Sequence, residues 1–587
     1  QGKVSLSVVC GAPRFPSPMC KAAVLDDGSS RVDAARASAA ACGERFVEVA
    51  VVGAGLQGLT VGAFLRREGI EDFVVVDENT EGGVGGTWRD HDYPNCGTDT
   101  EICTYYPSFL PRPKSASQFA KRDEILSYCR EIARTHVGSK RFLFNTRLAA
   151  CRFDGSVWRL EDAEGNHIVT SRFVLPCIFS ISYKHPIYPK IANSDAFTGD
   201  AVHSSRISKS LERFQGKRVV IIGCGATTLQ LAPALAACAA SCTVLRRTMP
   251  YVTRRPDEPL PDSDAGYSFY RILYEIRNDF VTFFDGWRRL EVMLRAWYWL
   301  TNYLFRESPA EALPPFAQPV QCTRRCYDYC GFMDCVRQGR ISLCDVSHNP
   351  VTSFEERALV LADGTVVEAD IVVYATGYNI AAAGADVLFE VAGQPHSLSN
   401  RSPNVFLPLS GCPLYCVPPR VAEQSMPYFV RSYRSYVASG ASGALIFYPN
   451  PPRFYKDDSI LFSPGCRSGR YTQGRDPNKE STTYGADFAD VWGVPVPRAF
   501  FRLYLWGQRP LHFPGARTKD VSPPVDAAAI SFELVRQVIG WLHGCRPAPT
   551  DTYATPLGGT PLRYAIECLV WPALYLISGL VGAQYTH

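Results

Sequence analysis

The run FVEVAVVGAGLQGLTVGAFLRREG, Phe46 to Gly69, limits the fold of this chain more than any other stretch. It opens as an apolar, β-branched strand, turns at Gly53-Ala54-Gly55, and continues with Leu59, Val61, Phe64 and Leu65 at helical spacing. Strand, glycine turn and helix in that order make half of a nucleotide-binding α/β unit. Gly53 and Gly55 let the backbone approach a pyrophosphate at the helix N-terminus, where free amides and the helix dipole favour an anion. Gly58 lets helix and strand pack closely. A second apolar strand, Phe73 to Val76, then ends in Asp77, an acid placed to bind a ribose diol.

The design recurs in GKRVVIIGCGATTLQLAPALAACAASCTVLRRT, Gly216 to Thr248, with Gly223 and Gly225 in the turn and Thr228 where the third glycine would stand. Its second strand ends in Arg246-Arg247-Thr248 instead of an acid. Two cations and a hydroxyl suit a 2′-phosphate, so Arg247 and Thr248 are expected to meet NADPH rather than NADH. An acid-ended and an arginine-ended unit in one chain imply two nucleotides, FAD first and NADPH second. NADPH alone passes hydride only, whereas a flavin accepts hydride and then reacts with molecular oxygen.

At 587 residues, 46% apolar and 20% charged, the chain has room for more than one domain and a large core. A net charge of +4 with the signs interspersed speaks against a nucleic-acid stripe and for a small organic substrate. The 21 cysteines never form CxxC, so no metal or dithiol site is expected and they read as buried, reduced thiols of a cytoplasmic protein. Residues 1–45, rich in Ala and Ser, read as a flexible leader. The stretch GWRRLEVMLRAWYWLTNYLF, Gly286 to Phe305, predicts a helix within an insert at 256–320, packed on the body or closing as a lid over a bulky substrate. The apolar run Cys568 to Ala583 contains Pro572 and is shorter than the roughly 20 residues of a spanning helix. A packed terminal helix is expected there, with membrane association as the alternative.

Four further motifs carry a resemblance. GGVGGTWRDHDYPNCGTDTE, Gly82 to Glu101, holds Gly85, Gly86, Thr87, Trp88, Tyr93, Pro94 and Asp99, with Tyr105 following. FTGDAVHSSRI, Phe197 to Ile207, holds Phe197, Gly199 and His203; CTRRCYDYCGFMDCVRQGRISL holds Arg324 and Arg325; DIVVYATGYN holds Ala375, Thr376 and Gly377. Together they resemble the class B flavoprotein monooxygenases, and within them the Baeyer-Villiger monooxygenases. The likeness covers roughly 47–380 well, and it departs from the pattern twice. Ile207 replaces the tryptophan that ends the fingerprint FxGxxxHxxxW, and FVLPCIFSIS puts Pro176, Cys177 and Ile178 where a small-residue triplet crosses between domains.

The resemblance implies an α/β protein with two Rossmann-like domains, the NADP domain (196–372) inserted into a discontinuous FAD domain (46–195 and 373–587). It implies that Gly86, Thr87, Trp88 and Tyr105 lie along the flavin, that Thr376 and Gly377 re-enter the flavin domain, and that Arg324 helps hold the 2′-phosphate. Arg325, paired with Asp99, would stabilise the negative flavin peroxide that attacks a ketone to give an ester or lactone. The alternatives are an N- or S-oxygenase with the same cofactors, or a decayed homologue. A pyridine nucleotide-disulfide reductase is disfavoured because CxxC is absent.

Overall fold

A computed structural model describes residues 29–99, 101–107, 109–113, 117–178, 185–247, 250–254, 260–264, 325–379, 386–396 and 402–408, with shorter pieces at 23–24 and 267 and between 422 and 446. The helix expected at 286–305 and the apolar run 568–583 lie outside these residues. Among the described residues no helix is long and apolar enough to cross a membrane.

Two sheets organise the chain. The first has eight strands in the spatial order 394–395, 388–391, 150–153, 158–161, 167–176, 46–52, 73–76 and 142–143. Phe46–Val52 lies at its parallel centre, between His167–Pro176 and Phe73–Val76. The second sheet is parallel throughout, in the order 342–345, 241–246, 218–222, 371–374 and 200–203. Both nucleotide units thus sit at sheet centres. Their strands are apolar without alternation because both faces are covered: Val49 and Val51 enter one core cluster, Val47 and Val52 another. Val219 and Ile221 likewise face one core and Val220 the opposite one.

The first sheet is built from both sides of the second, since Leu388–Val391 returns to pair with Ala150–Phe153. The two connecting segments are tied together. Ile187 donates its N–H to Gly377 O at 2.9 Å, Asn379 donates to His185 O at 2.8 Å, and Pro186 bridges Tyr378. The altered crossing at 176–178 leaves the ladder intact, because Cys177 donates to Val52 O at 2.8 Å. The donor that Pro176 lacks falls on the other side of the strand, where it costs this pairing nothing. Ile207 is 3% exposed and packs with Val202 and Phe214 in the second core.

One expectation needs correcting. Residues 29–41 of the expected flexible leader form a helix, Ser29–Ala41. Its alanine-rich sequence favours helix, Val32 and Ala39 are buried, and Arg36 reaches Glu48 at 2.6 Å while lying over the Phe46 ring. Most of the described cysteines are buried.

Candidate active site

The first glycine turn closes on itself as its sequence demands. A Cβ on Gly58 would lie 1.9 Å from Gly53 O, so only glycine lets the helix Leu56–Arg67 rest on the strand. Gly55 caps that helix without a side-chain hydrogen bond, and no acid stands in its first turn. Its leading amides therefore remain open to an anion. Within the same turn Gln57 is 4% exposed, and neither polar atom of its side chain is paired among the described residues. A buried, unpaired amide is costly, so the local chemistry calls for a polar occupant. Asp77 stands at the strand end as expected and accepts from Ala54 N at 2.6 Å and Asn79 N at 2.9 Å.

The segment 82–101 runs from this turn toward the second unit. Gly85 donates to Ala54 O at 2.9 Å, and Gly55 and Gly85 form a parallel bridge. Gly86 has φ 53° and ψ −123°, a conformation restricted to glycine, and a Cβ there would come within 3.1 Å of Gly55 Cα. The short helix Thr87–Asp90 follows. Trp88 is half-buried, meets Tyr105 edge-on at 5.5 Å, and packs against the cores of both units. Beyond it, Tyr93 and Cys96 belong to the core of the second unit. The glycine-rich stretch is therefore a joint as well as a wall of the first turn, which its residue types alone did not reveal.

In the second unit, Thr228 is fully buried and donates its hydroxyl to Gly223 O at 2.9 Å, closing the turn that a third glycine would otherwise allow. Gly225 caps the helix Ala226–Cys238, again without a side-chain bond. Arg246 is taken by Asp345 at 3.1 Å, whereas Arg247 is exposed and makes no ion pair to a described residue. Thr248 and Arg324 lie outside the described residues.

Asp99 is exposed on a loop anchored by Thr98, whose N–H donates to Ala120 O at 3.0 Å. The strand Arg325–Asp328 comes alongside this region: Tyr327 meets Phe119 edge-on at 5.1 Å, and the Tyr329 hydroxyl donates to Asn95 O at 2.6 Å. The strand that begins at Arg325 thus ends beside the segment that leads to Asp99; the Arg325 side chain lies outside the described residues. Thr376 is buried and donates its hydroxyl to Ile187 O, so it and Gly377 belong to the paired connectors.

A cluster between the units was not foreseen. Tyr378 stacks on His91 at 5.6 Å, with its hydroxyl 2.8 Å from His91 Nε2, and lies edge-on to His203 at 5.3 Å. Burial pushes the His91 imidazole down to about 4; Asp90 opposes the shift and His203 adds to it. His91 is therefore neutral when folded, while the unfolded chain takes up a proton below about pH 6.5. Its contribution to stability is complete above that pH and is lost as pH falls from 6.5 toward 4, by roughly 3 kcal/mol. Denaturant unfolding at pH 7 and pH 4.5 should show that loss, and His91→Phe should make the two midpoints converge.

The sequence pattern of the flavin-binding monooxygenase-like family matches residues 47–386. A Baeyer-Villiger monooxygenase of Pseudomonas aeruginosa is 32% identical over 222 residues, covering 38% of this chain and 41% of that protein. Another from Streptomyces coelicolor is 30% identical over 351 residues, covering 57% and 64%. The chain thus spans less than two thirds of the length of these relatives. The solved structure of an oxidised steroid monooxygenase bound to NADP shares the fold, with a TM-score of 0.58 at 22% identity over 73% of this chain and 93% of that one. With the pattern matched over more than half of its length, the two glycine turns included, this chain belongs to the flavin-binding monooxygenase-like family.

Proposed function

We propose that the chain is an FAD- and NADPH-dependent monooxygenase that inserts one atom of molecular oxygen beside a ketone carbonyl, giving an ester or lactone. The observation that carries this reading is the approach of the Arg325 strand to the Asp99 loop, in a chain with two nucleotide turns that differ in charge. A fixed cation there would stabilise negative charge as it develops, and the acid would orient it. Two relatives named Baeyer-Villiger monooxygenases support the same assignment.

The residues fit the implied groups. The uncapped helix at Gly55, the close backbone approach of Gly55 and Gly86, which keeps side chains out of the turn, and the unpaired Gln57 amide suit FAD, whose flavin supplies hydride acceptance and reaction with oxygen. Asp77 keeps lone pairs for a ribose diol beyond the two amides it accepts. Thr87, Trp88 and Tyr105 would line the flavin, with Thr376 and Gly377 at the re-entry. The turn Gly223–Thr228 would hold the NADPH diphosphate, and Arg247, Thr248 and Arg324 the 2′-phosphate. In this reading residues 196–372 are the NADP domain, and 46–195 and 373–587 are the two parts of the FAD domain. NADPH supplies two electrons; one oxygen atom enters the product and the other leaves as water.

The test is incubation of the FAD-loaded protein with NADPH, isotopically labelled oxygen, and panels of ketones, amines and sulfides. An ester or lactone carrying one labelled atom is expected. Labelled amine or sulfide oxides without esters would move the assignment to heteroatom oxygenation. NADPH oxidation that yields hydrogen peroxide alone with every panel would overturn the monooxygenase reading.

A further inference from the structure

Gln230 lies on the helix Ala226–Cys238, which starts at the second glycine turn, yet all of its described side-chain bonds go to the segment leading to Asp99. Its Oε1 accepts from the Tyr93 hydroxyl at 2.9 Å, and its Nε2 donates to Gly97 O at 3.2 Å. Its backbone carbonyl also accepts from Asn95 Nδ2 at 3.1 Å. The residue is 4% exposed, so these bonds are shielded from water and their loss would strand buried polar atoms. Tyr329 grips the same segment through Asn95 O at 2.6 Å, immediately after the strand that carries Arg325. Asp328 in turn fixes that strand end by accepting from Phe332 N and Met333 N, both at 2.8 Å.

We propose that Gln230 is a positioning residue: it clamps segment 93–97 to the nucleotide-binding helix of the second unit, and so sets where Asp99 stands relative to Arg325. This inference rests on the roles assigned above to Asp99 and Arg325. Gln230 acts through the loop and touches no reacting atom. The clamp makes the placement of the flavin-side acid depend on the same helix that would receive the NADPH diphosphate. With two side-chain bonds on one amide, the segment is held in one register; an isosteric apolar side chain keeps the volume and removes both bonds.

Two readouts test it on the FAD-loaded protein. Amide hydrogen exchange of residues 93–99, measured with and without NADP⁺, should be slow in the parent protein and slower still with the nucleotide. Gln230→Leu should raise exchange there about tenfold and abolish the response to NADP⁺. Binding of FAD, read by flavin fluorescence, should change less than about threefold, because the helix at Gly55 is untouched. In turnover, the share of NADPH oxidation recovered as hydrogen peroxide should rise several-fold while the KM for NADPH stays within about threefold. Tyr93→Phe removes one of the two bonds, and it carries the test if Gln230→Leu fails to fold. In the double variant its effect should not add to that of Gln230→Leu.

Unchanged exchange at 93–99 in both variants, or faster exchange with no change in peroxide release, overturns the proposal. A parent protein that makes no ester or lactone overturns the functional reading instead, and the NADP⁺-dependent exchange still decides whether the clamp exists.

Discussion

Gly58→Ala is expected to yield protein without bound FAD and with the first nucleotide unit destabilised by about 3 kcal/mol or more. The added Cβ would lie 1.9 Å from Gly53 O and 3.1 Å from Gly53 C, both backbone atoms of the turn itself. No rotamer change relieves such a contact, so the helix Leu56–Arg67 must lift off its strand. That helix is buried from Leu56 to Leu65, so lifting it opens the largest core cluster. Gly62→Ala is the matched control on the same helix. Its Cβ would come within 3.3 Å of Val137 Cγ2, a side-chain atom that can yield, and the gain in helix propensity offsets the contact. Stability should then change by less than about 1 kcal/mol. Thermal unfolding and flavin absorbance of the purified proteins compare the two, and a Gly58→Ala protein that keeps both its flavin and its melting temperature would refute the packing argument.

Arg325→Ala is expected to lower ester formation by about 100-fold or more, with FAD content unchanged. Removing one fixed donor from a site of developing negative charge typically has effects of that size, because a preorganised donor stabilises the charge without reorganisation at the moment of reaction. Lysine at the same position keeps the charge but not the planar fork, so Arg325→Lys should recover only part of the rate. Arg324→Ala separates the neighbours: if it holds the 2′-phosphate, the KM for NADPH rises while the rate at saturating NADPH is retained. Product analysis of the three variants with a ketone accepted by the parent protein reads all of this. Intact ketone turnover in Arg325→Ala would remove the Baeyer-Villiger assignment and leave the nucleotide assignments standing.

Much of the fold could be read from residue order. Both strand–turn–helix units lie where their apolar runs and glycines placed them, Asp77 ends its strand, and Thr228 closes its turn with a hydroxyl in place of a third glycine. The departures at Pro176 and Ile207 looked disruptive because sequence registers residue type but not hydrogen-bond direction. In place, Cys177 carries the ladder past Pro176, and Ile207 fills the second core. The leader was misread over 29–41 because its anchors, Glu48 and the Phe46 ring, belong to the strand of the first unit.

By itself, then, the sequence determined two strand–glycine turn–helix units, the acid that ends the second strand of one and the arginines that end that of the other, and the family to which they belong. These are local facts: β-branched runs, glycine conformations and helical spacing act over a few residues and need no knowledge of packing. Only the tertiary structure decided that Gly82–Glu101 is a joint between cores, that His91 is held neutral against Tyr378, and that Gln230 clamps the loop before Asp99. The partners in that clamp are 133 to 137 positions apart. Such bonds exist because the helix that follows one glycine turn packs on a loop that follows the other, and no local pattern in either segment encodes which buried amide will find which hydroxyl.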